Sequence, residues 1–110
     1  MVLYLRVRDA QEMLRVRPSA GELIVGRRSP DSVMLPDVDL SAYQADLKGV
    51  SRLHASLRRH GNTLVLTDMG SLNHTHVNGQ RLHAHEVRVL HDGDEISFGQ
   101  LMVSVYFRRD

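Results

Sequence analysis

The chain has no cysteine and no tryptophan, one lysine, three prolines, two phenylalanines and three tyrosines. Without cysteine there can be no disulfide, no thiolate nucleophile and no cysteine-ligated zinc, so stability must come from an apolar core; this fits a cytoplasmic protein. No run approaches the ~18 consecutive apolar residues that a membrane-spanning helix needs, which excludes membrane insertion by that route. The start, Met1-Val2-Leu3-Tyr4-Leu5-Arg6-Val7-Arg8, alternates apolar and basic positions, unlike the unbroken apolar stretch of a signal peptide. The net charge is only +1 with histidine neutral, which excludes a nucleic-acid binder that relies on a broad basic face. Thirteen of the fourteen basic residues are arginine, leaving Lys48 as the only lysine; this is read as codon bias and carries no functional inference.

What is present is ordinary globular material, 42% apolar and 25% charged in 110 residues, enough for one domain over 1–110 that could serve as a module of a longer protein. Leu3, Leu5 and Val7 alternate with Tyr4, Arg6 and Arg8, the period of two that a half-buried strand requires. The same pattern predicts strands at 13–17, 22–25, 55–59, 63–67, 86–90, 95–98 and 102–107. Turn formers separate them at Pro18-Ser19-Ala20-Gly21, Gly61-Asn62, Asp68-Met69-Gly70-Ser71, Asn78-Gly79 and Asp92-Gly93-Asp94. Many short strands divided in this way predict an all-β fold, an antiparallel sandwich or barrel. Residues 40–48 lack an apolar stripe and end at Gly49, so they read as a loop with at most one helical turn. Asn78-Gly79 predicts a type I′ hairpin, since both residues tolerate positive φ, with Val77 facing Gln80 and no ligand contact at the turn itself. No internal repeat, low-complexity tract or linker is present.

Three groups of residues suggest chemistry. Ser51 and Arg52, joined by a second arginine, could hold a phosphate, because two guanidinium groups nearly neutralise its charge of about −1.5 to −2 and a serine hydroxyl adds a compact donor. The order of residues alone does not bring Arg27 to Arg52. His54, three residues from Ser51, raises the possibility of nucleophilic catalysis, but no Gly-x-Ser-x-Gly surrounds that serine and no carboxylate stands out as an orienting partner, so no enzyme is predicted. His74-Thr75-His76 and His83-Ala84-His85 could each present two imidazoles on one strand face to a metal. They lack a clear carboxylate partner and read as solvated loop histidines, so no metal and no cofactor are predicted.

Gly26-Arg27, Val50-Ser51-Arg52-Leu53-His54-Ala55 and Gly70-Ser71-Leu72-Asn73-His74-Thr75-His76-Val77-Asn78-Gly79 occur in an order that resembles the forkhead-associated (FHA) domain. Pro36-Asp37-Val38-Asp39-Leu40 and Asp92-Gly93-Asp94-Glu95-Ile96, followed by Phe98-Gly99, extend the resemblance over about 21–107, with 1–17 supplying opening strands. The resemblance implies a β-sandwich of about eleven strands whose loops at one end bind phosphothreonine in an extended segment of a partner, a substrate of a Ser/Thr kinase. Arg27, Ser51 and Arg52 would contact the phosphate and Asn73 the peptide backbone, with threonine favoured over serine through its methyl group. Gly26, Thr75, Asn78 and Gly79 would support the loops, as would a partly buried His54 bridging backbone groups. Leu72, His74, His76 and Lys48 have less defined places near the ligand; Lys48, His76 and Gln80 are candidates for reading a flanking residue, a task for which Gly49 offers no side chain.

Two positions depart from the family pattern. His74 stands where glycine is usual and would cost about 1 kcal/mol or more in a positive-φ conformation. Leu72 replaces a frequent hydroxyl residue, leaving its backbone N–H as a possible phosphate donor. The alternative expectation is a phosphate-independent scaffold or oligomerisation module; the oligomeric state is left open.

Overall fold

Period-two alternation gives each strand one apolar face, and two sheets bury those faces against each other. In the computed structural model, which describes residues 1–18 and 21–109, the strands in chain order are β1 (Val2–Val7), β2 (Leu14–Val16), β3 (Glu22–Gly26), β4 (Val38–Asp39), β5 (Leu53–His60), β6 (Thr63–Asp68), β7 (Thr75–Val77), β8 (Gln80–Leu82), β9 (Val87–Leu90), β10 (Glu95–Phe98) and β11 (Leu101–Arg108). One sheet has the order β2-β1-β11-β10-β7-β8 and the other β4-β3-β5-β6-β9. All named pairs are antiparallel except β3 with β4, which is parallel. The expected all-β sandwich is therefore observed. The strands missing from the alternation reading are β4, β7 and β8, whose two or three residues are too short to display a period. Residues 40–48 contain a single 3₁₀ turn at Ser41–Tyr43. Part of the expected turn at 18–21, Ser19 and Ala20, lies outside the described residues.

The core follows the alternation. Leu3, Leu5 and Val7 of β1 and Leu101, Val103 and Val105 of β11 face Val25, Ala55, Leu57, Leu64 and Leu66 of the other sheet, with Ile96 and Phe98 completing the layer. At the end of β6 the phase that buries Leu64 and Leu66 also buries Asp68. Between β3 and β5 the register shifts, since Val25 opposes Ala55 while Gly26 opposes Leu53. His54 is thus the extra residue of a β-bulge, a device that re-aims a side chain, and here the imidazole is fully buried.

The β7–β8 hairpin takes the predicted turn, with φ of 49° at Asn78 and 81° at Gly79 and Val77 opposite Gln80. Asn78 also clamps the turn to β10: its Nδ2 donates to Asp94 Oδ1 (2.9 Å), its Oδ1 accepts from Glu95 N–H (2.9 Å), and its own N–H donates to the Glu95 carbonyl (2.7 Å). Asn78→Ala loses both side-chain bonds and places a less tolerant residue at positive φ, so we expect a loss of about 2 kcal/mol, lowering Tm by on the order of 10 °C. Asn78→Gly, which keeps the turn without the amide, should recover about half of that. Thermal unfolding of both variants checks the division, and equal melting of Asn78→Ala and the parent chain would refute it.

Candidate functional site

The expected ligand residues come from three separate parts of the chain, and the fold brings all of them to one end of the sandwich. Gly26 is packed so closely on the Arg52 backbone that a Cβ there would overlap the Arg52 carbonyl oxygen. This approach lets Arg27 N–H donate to that carbonyl (3.3 Å) as Leu40 N–H donates to the Gly26 carbonyl (2.8 Å). Arg27 Nε then donates to the Val50 carbonyl (2.6 Å), and its Nη1 lies 3.4 Å from the Arg28 carbonyl. The Arg27 backbone is thereby placed against that of Arg52 and its side chain against the Val50 carbonyl, next to Ser51 in the chain, a juxtaposition the order of residues does not show.

A second loop is tied to the same segment. Asn73 Nδ2 donates to the Gly49 carbonyl (3.1 Å), and Leu72 N–H donates to Ser51 Oγ (3.2 Å). The consecutive carbonyls of Gly49 and Val50 therefore orient Asn73 and Arg27 respectively. Gly49 has φ of +81°, and a Cβ on it would lie 2.7 Å from Asn73 Nδ2, so the position needs glycine for both conformation and space. Val50 itself is buried, with its N–H bonded to the Ala45 carbonyl (2.9 Å), and Gln100 N–H holds the Lys48 carbonyl (2.8 Å). These bonds make 45–50 a rigid backing for the site.

His54 joins the two loops. Its Nδ1 accepts from Ser51 N–H (3.0 Å), which requires that atom to be unprotonated, and its Nε2–H donates to the His74 carbonyl (2.9 Å). Burial disfavours the imidazolium and is the largest cause holding the His54 pKa below its ordinary 6.5, although the bond to the His74 carbonyl and nearby Asp68 pull the other way. The residue is more deeply buried than the partly buried position expected, and its ring meets Phe98 edge to face at 5.5 Å between centroids. Its Nδ1 bonds the Ser51 backbone rather than the hydroxyl, so the two do not form a nucleophile and base pair. The Ser51 hydroxyl accepts from Leu72 N–H, which leaves its own proton available to a ligand; the Ser51 and Leu72 N–H groups are already engaged.

The second loop is anchored by a residue whose sequence context marks it as a turn former. Asp68 Oδ1 accepts from Ser71 Oγ (2.6 Å) and Thr75 Oγ1 (2.7 Å), and its Oδ2 from Gly70 N–H (2.9 Å) and Ser71 N–H (3.1 Å). Burial alone would raise its pKa, but these four bonds hold the carboxyl below its ordinary 3.8. One signal in the sequence points to it: Asp68 continues the inward phase of Leu64 and Leu66, and a carboxylate on the buried face must be satisfied by donors. His74 adopts φ of +70°, as its glycine-like position requires, and its carbonyl accepts from both His54 Nε2 and Gly99 N–H (3.0 Å).

Other expected residues fall outside this centre. His76 sits in β7, opposite Ser97 and Arg81, and Gln80 is exposed on β8 with Oε1 3.5 Å from Arg88 Nη1. Asn78 and Gly79 occupy the far turn of β7–β8, where they support β10 rather than the ligand loops. Lys48, by contrast, borders the centre, lining an open hollow with Leu47, Gly49, Asn73, Gly99 and Gln100. Arg28 points to Asp39, its Nε 2.6 Å from the carboxylate. Burial would raise the Asp39 pKa, but hydrogen bonds from Ser41 and the adjacent Arg28 hold it below 3.8. The two His-x-His pairs do not lie on single strands, because His74 precedes β7 at positive φ and both His83 and His85 follow β8. Among the described residues no group of three histidines, aspartates or glutamates is placed to hold a metal ion, and no helix is long and apolar enough to cross a membrane.

Residues 23–99 match the family model of the FHA domain. The chain is 39% identical over 80 residues to the oxoglutarate dehydrogenase inhibitor of Corynebacterium jeikeium, an overlap of 72% of this chain and 46% of that protein. It is 34% identical over 92 residues to protein FraH of Nostoc sp., covering 84% of this chain and 31% of that one. It therefore spans less than half the length of either curated relative. Among solved structures it superposes, with a TM-score of 0.74 and 27% identity over 99% of both chains, on one from work on phosphothreonine-dependent FHA domain interactions.

The two-ended bond of His54 predicts a pH dependence of stability. The unfolded chain takes up this proton near pH 6.5, whereas the folded chain takes it up only at lower pH. Between those values the unfolded state holds more protons, so stability falls as pH drops below about 6.5. Asp68, with its depressed pKa, contributes a separate loss that begins only below about pH 3.8. We expect Tm to fall between about pH 7.5 and 5.5, and His54→Gln, although less stable throughout, to show a shallower fall over that interval. An unchanged slope in the variant would assign the proton to another group.

Proposed function

We propose that this chain, which belongs to the forkhead-associated family, binds an extended partner segment through a phosphothreonine held by Arg27, Ser51 and Arg52, with Asn73 bonding the segment's backbone. FHA domains are phosphopeptide-binding modules rather than catalysts, and we take 1–110 as one such domain, in which the strands before residue 23 complete the sheets around the matched region. The observation that carries the reading is the convergence on 49–52: the Gly49 and Val50 carbonyls orient Asn73 and Arg27, and Ser51 Oγ ties in the Leu72 loop.

The chemistry follows from that placement. The Nε bond to Val50 locks the Arg27 side chain before the ligand arrives, so little rotamer entropy remains to be lost on binding. The Arg27 and Arg52 charges balance the dianion, and the Ser51 hydroxyl proton supplies a short neutral donor. Asn73 can exchange its bond to the Gly49 carbonyl for, or share it with, peptide groups of the ligand. Phosphothreonine is preferred over phosphoserine through its methyl group. The partner is a protein phosphorylated by a Ser/Thr kinase, acting in the cytoplasm. The glycine-like conformation of His74 supports an intact loop, and with it phosphate binding over the phosphate-independent scaffold.

A degenerate phosphothreonine peptide library, read by fluorescence anisotropy, should give Kd on the order of micromolar, about −8 kcal/mol. Arg27→Ala should weaken binding by about 10- to 100-fold and Asn73→Ala by roughly 10-fold, the range for hydrogen bonds to charged and neutral groups. Equal binding of phosphorylated and unphosphorylated pools would reject the proposal and favour the scaffold reading.

A further inference from the structure

Large apolar side chains are exposed at eight described positions, and three of these, Met13, Val87 and Val89, lie outside the segments that form the phosphate loops. The other five lie on the segments that form those loops: Val33, Met34 and Leu35 follow Arg27 in the β3–β4 connection, Leu47 precedes Gly49, and Leu72 precedes Asn73. Val33, Leu47 and Leu72 are 99%, 79% and 82% exposed, so they contribute almost nothing to the core. Scattered single apolar residues on a surface need no explanation, but a set gathered around one site marks a surface that is covered when the site is filled.

The contacts link this set to the anion site itself. Met34 lines an open hollow together with Ser32, Ser51, Arg52 and Leu53. Leu72 is held beside Ser51 by the bond from its N–H to Ser51 Oγ, and its side chain is left exposed there. Leu47 lines the hollow that contains Asn73. Of the neighbouring cations, Arg28 is paired with Asp39, while Lys48 borders the Asn73 hollow beside Leu47. Around the charged centre the surface therefore offers the ligand mainly apolar area, with Lys48 adding positive charge on the Asn73 side.

Resting on the phosphothreonine reading above, we infer that the partner segment is apolar around its phosphothreonine, with aliphatic or aromatic side chains covering Met34 and Leu72, and that these two residues set its specificity. The apolar flanks supply burial energy and the phosphate supplies position, a division that suits an anchor of only a few hydrogen bonds.

The test uses two phosphothreonine peptide pools, one with Leu, Ile, Met, Val and Phe on both sides and one with Ser, Asn, Lys, Asp and Glu, each with its unphosphorylated control. The parent chain should bind the apolar pool about tenfold more tightly, equivalent to about 1.4 kcal/mol. Met34→Ser and Leu72→Ser should each reduce that ratio to about threefold or less. Because the readout is a ratio, general weakening of a variant cancels. Equal binding of the two phosphorylated pools, preference for the polar pool, or an unchanged ratio in both variants would overturn the inference while leaving phosphate recognition standing. Failure of both pools to exceed their unphosphorylated controls would overturn the phosphate reading and this inference together. Sedimentation showing a dimer dissolved by Met34→Ser and Leu72→Ser would instead assign the apolar surface to a second copy of the chain and overturn the inference.

Discussion

A single neutral imidazole at the end of the core holds together the loops that matter. His54 accepts from Ser51 N–H on one nitrogen and donates to the His74 carbonyl on the other, so it fixes two loops from segments twenty residues apart. The bridge works only in one tautomer and only uncharged, and burial beside Phe98 favours that state. The β-bulge that skips His54 in the pairing of β3 with β5 is what turns the ring inward. A regular ladder would leave this histidine facing the opposite way from Ala55, without reach to either loop.

Around this bridge, local strain is offset by bonds it makes possible. His74 in the left-handed region is unfavourable by about 1 kcal/mol, yet that conformation directs its carbonyl toward both His54 and Gly99. Asp68 stabilises the start of the same loop by accepting four hydrogen bonds with one buried carboxylate. Neither residue need touch a ligand. Their effect is that Leu72 and Asn73 emerge in a set geometry against Gly49 and Ser51.

The loop geometry also separates charge from apolar surface. Arg27 is pre-oriented by a backbone carbonyl and Arg28 is paired with Asp39, while the exposed Met34, Leu47 and Leu72 lie beside Ser51, Arg52 and Asn73. On the proposed reading, a ligand meeting this surface presents an anion to Arg27 and Arg52 and gains further by burying apolar groups. Such an arrangement favours a defined docking register over broad electrostatic attraction, in keeping with a net charge of +1.

By itself the sequence determined an all-β fold of short strands, because period-two alternation and Gly, Asn and Asp turns act through neighbours in the chain, and it determined the Asn78-Gly79 hairpin for the same reason; the sandwich rather than a barrel was legible only as what the family resemblance implies. The motif order around Arg27, Ser51, Arg52 and Asn73 was legible as a family resemblance, not as geometry. The tertiary structure alone decided that Arg27 meets Val50, that Asn73 meets Gly49, and that the apolar residues of three loops share one end with them. Each of these depends on strands paired across many residues, and no local pattern encodes such a distance. The buried roles of His54 and Asp68 lie between the two: the phase of β6 pointed inward at Asp68, but only the bulge and the opposing sheet supplied the partners that make a buried histidine and carboxylate favourable.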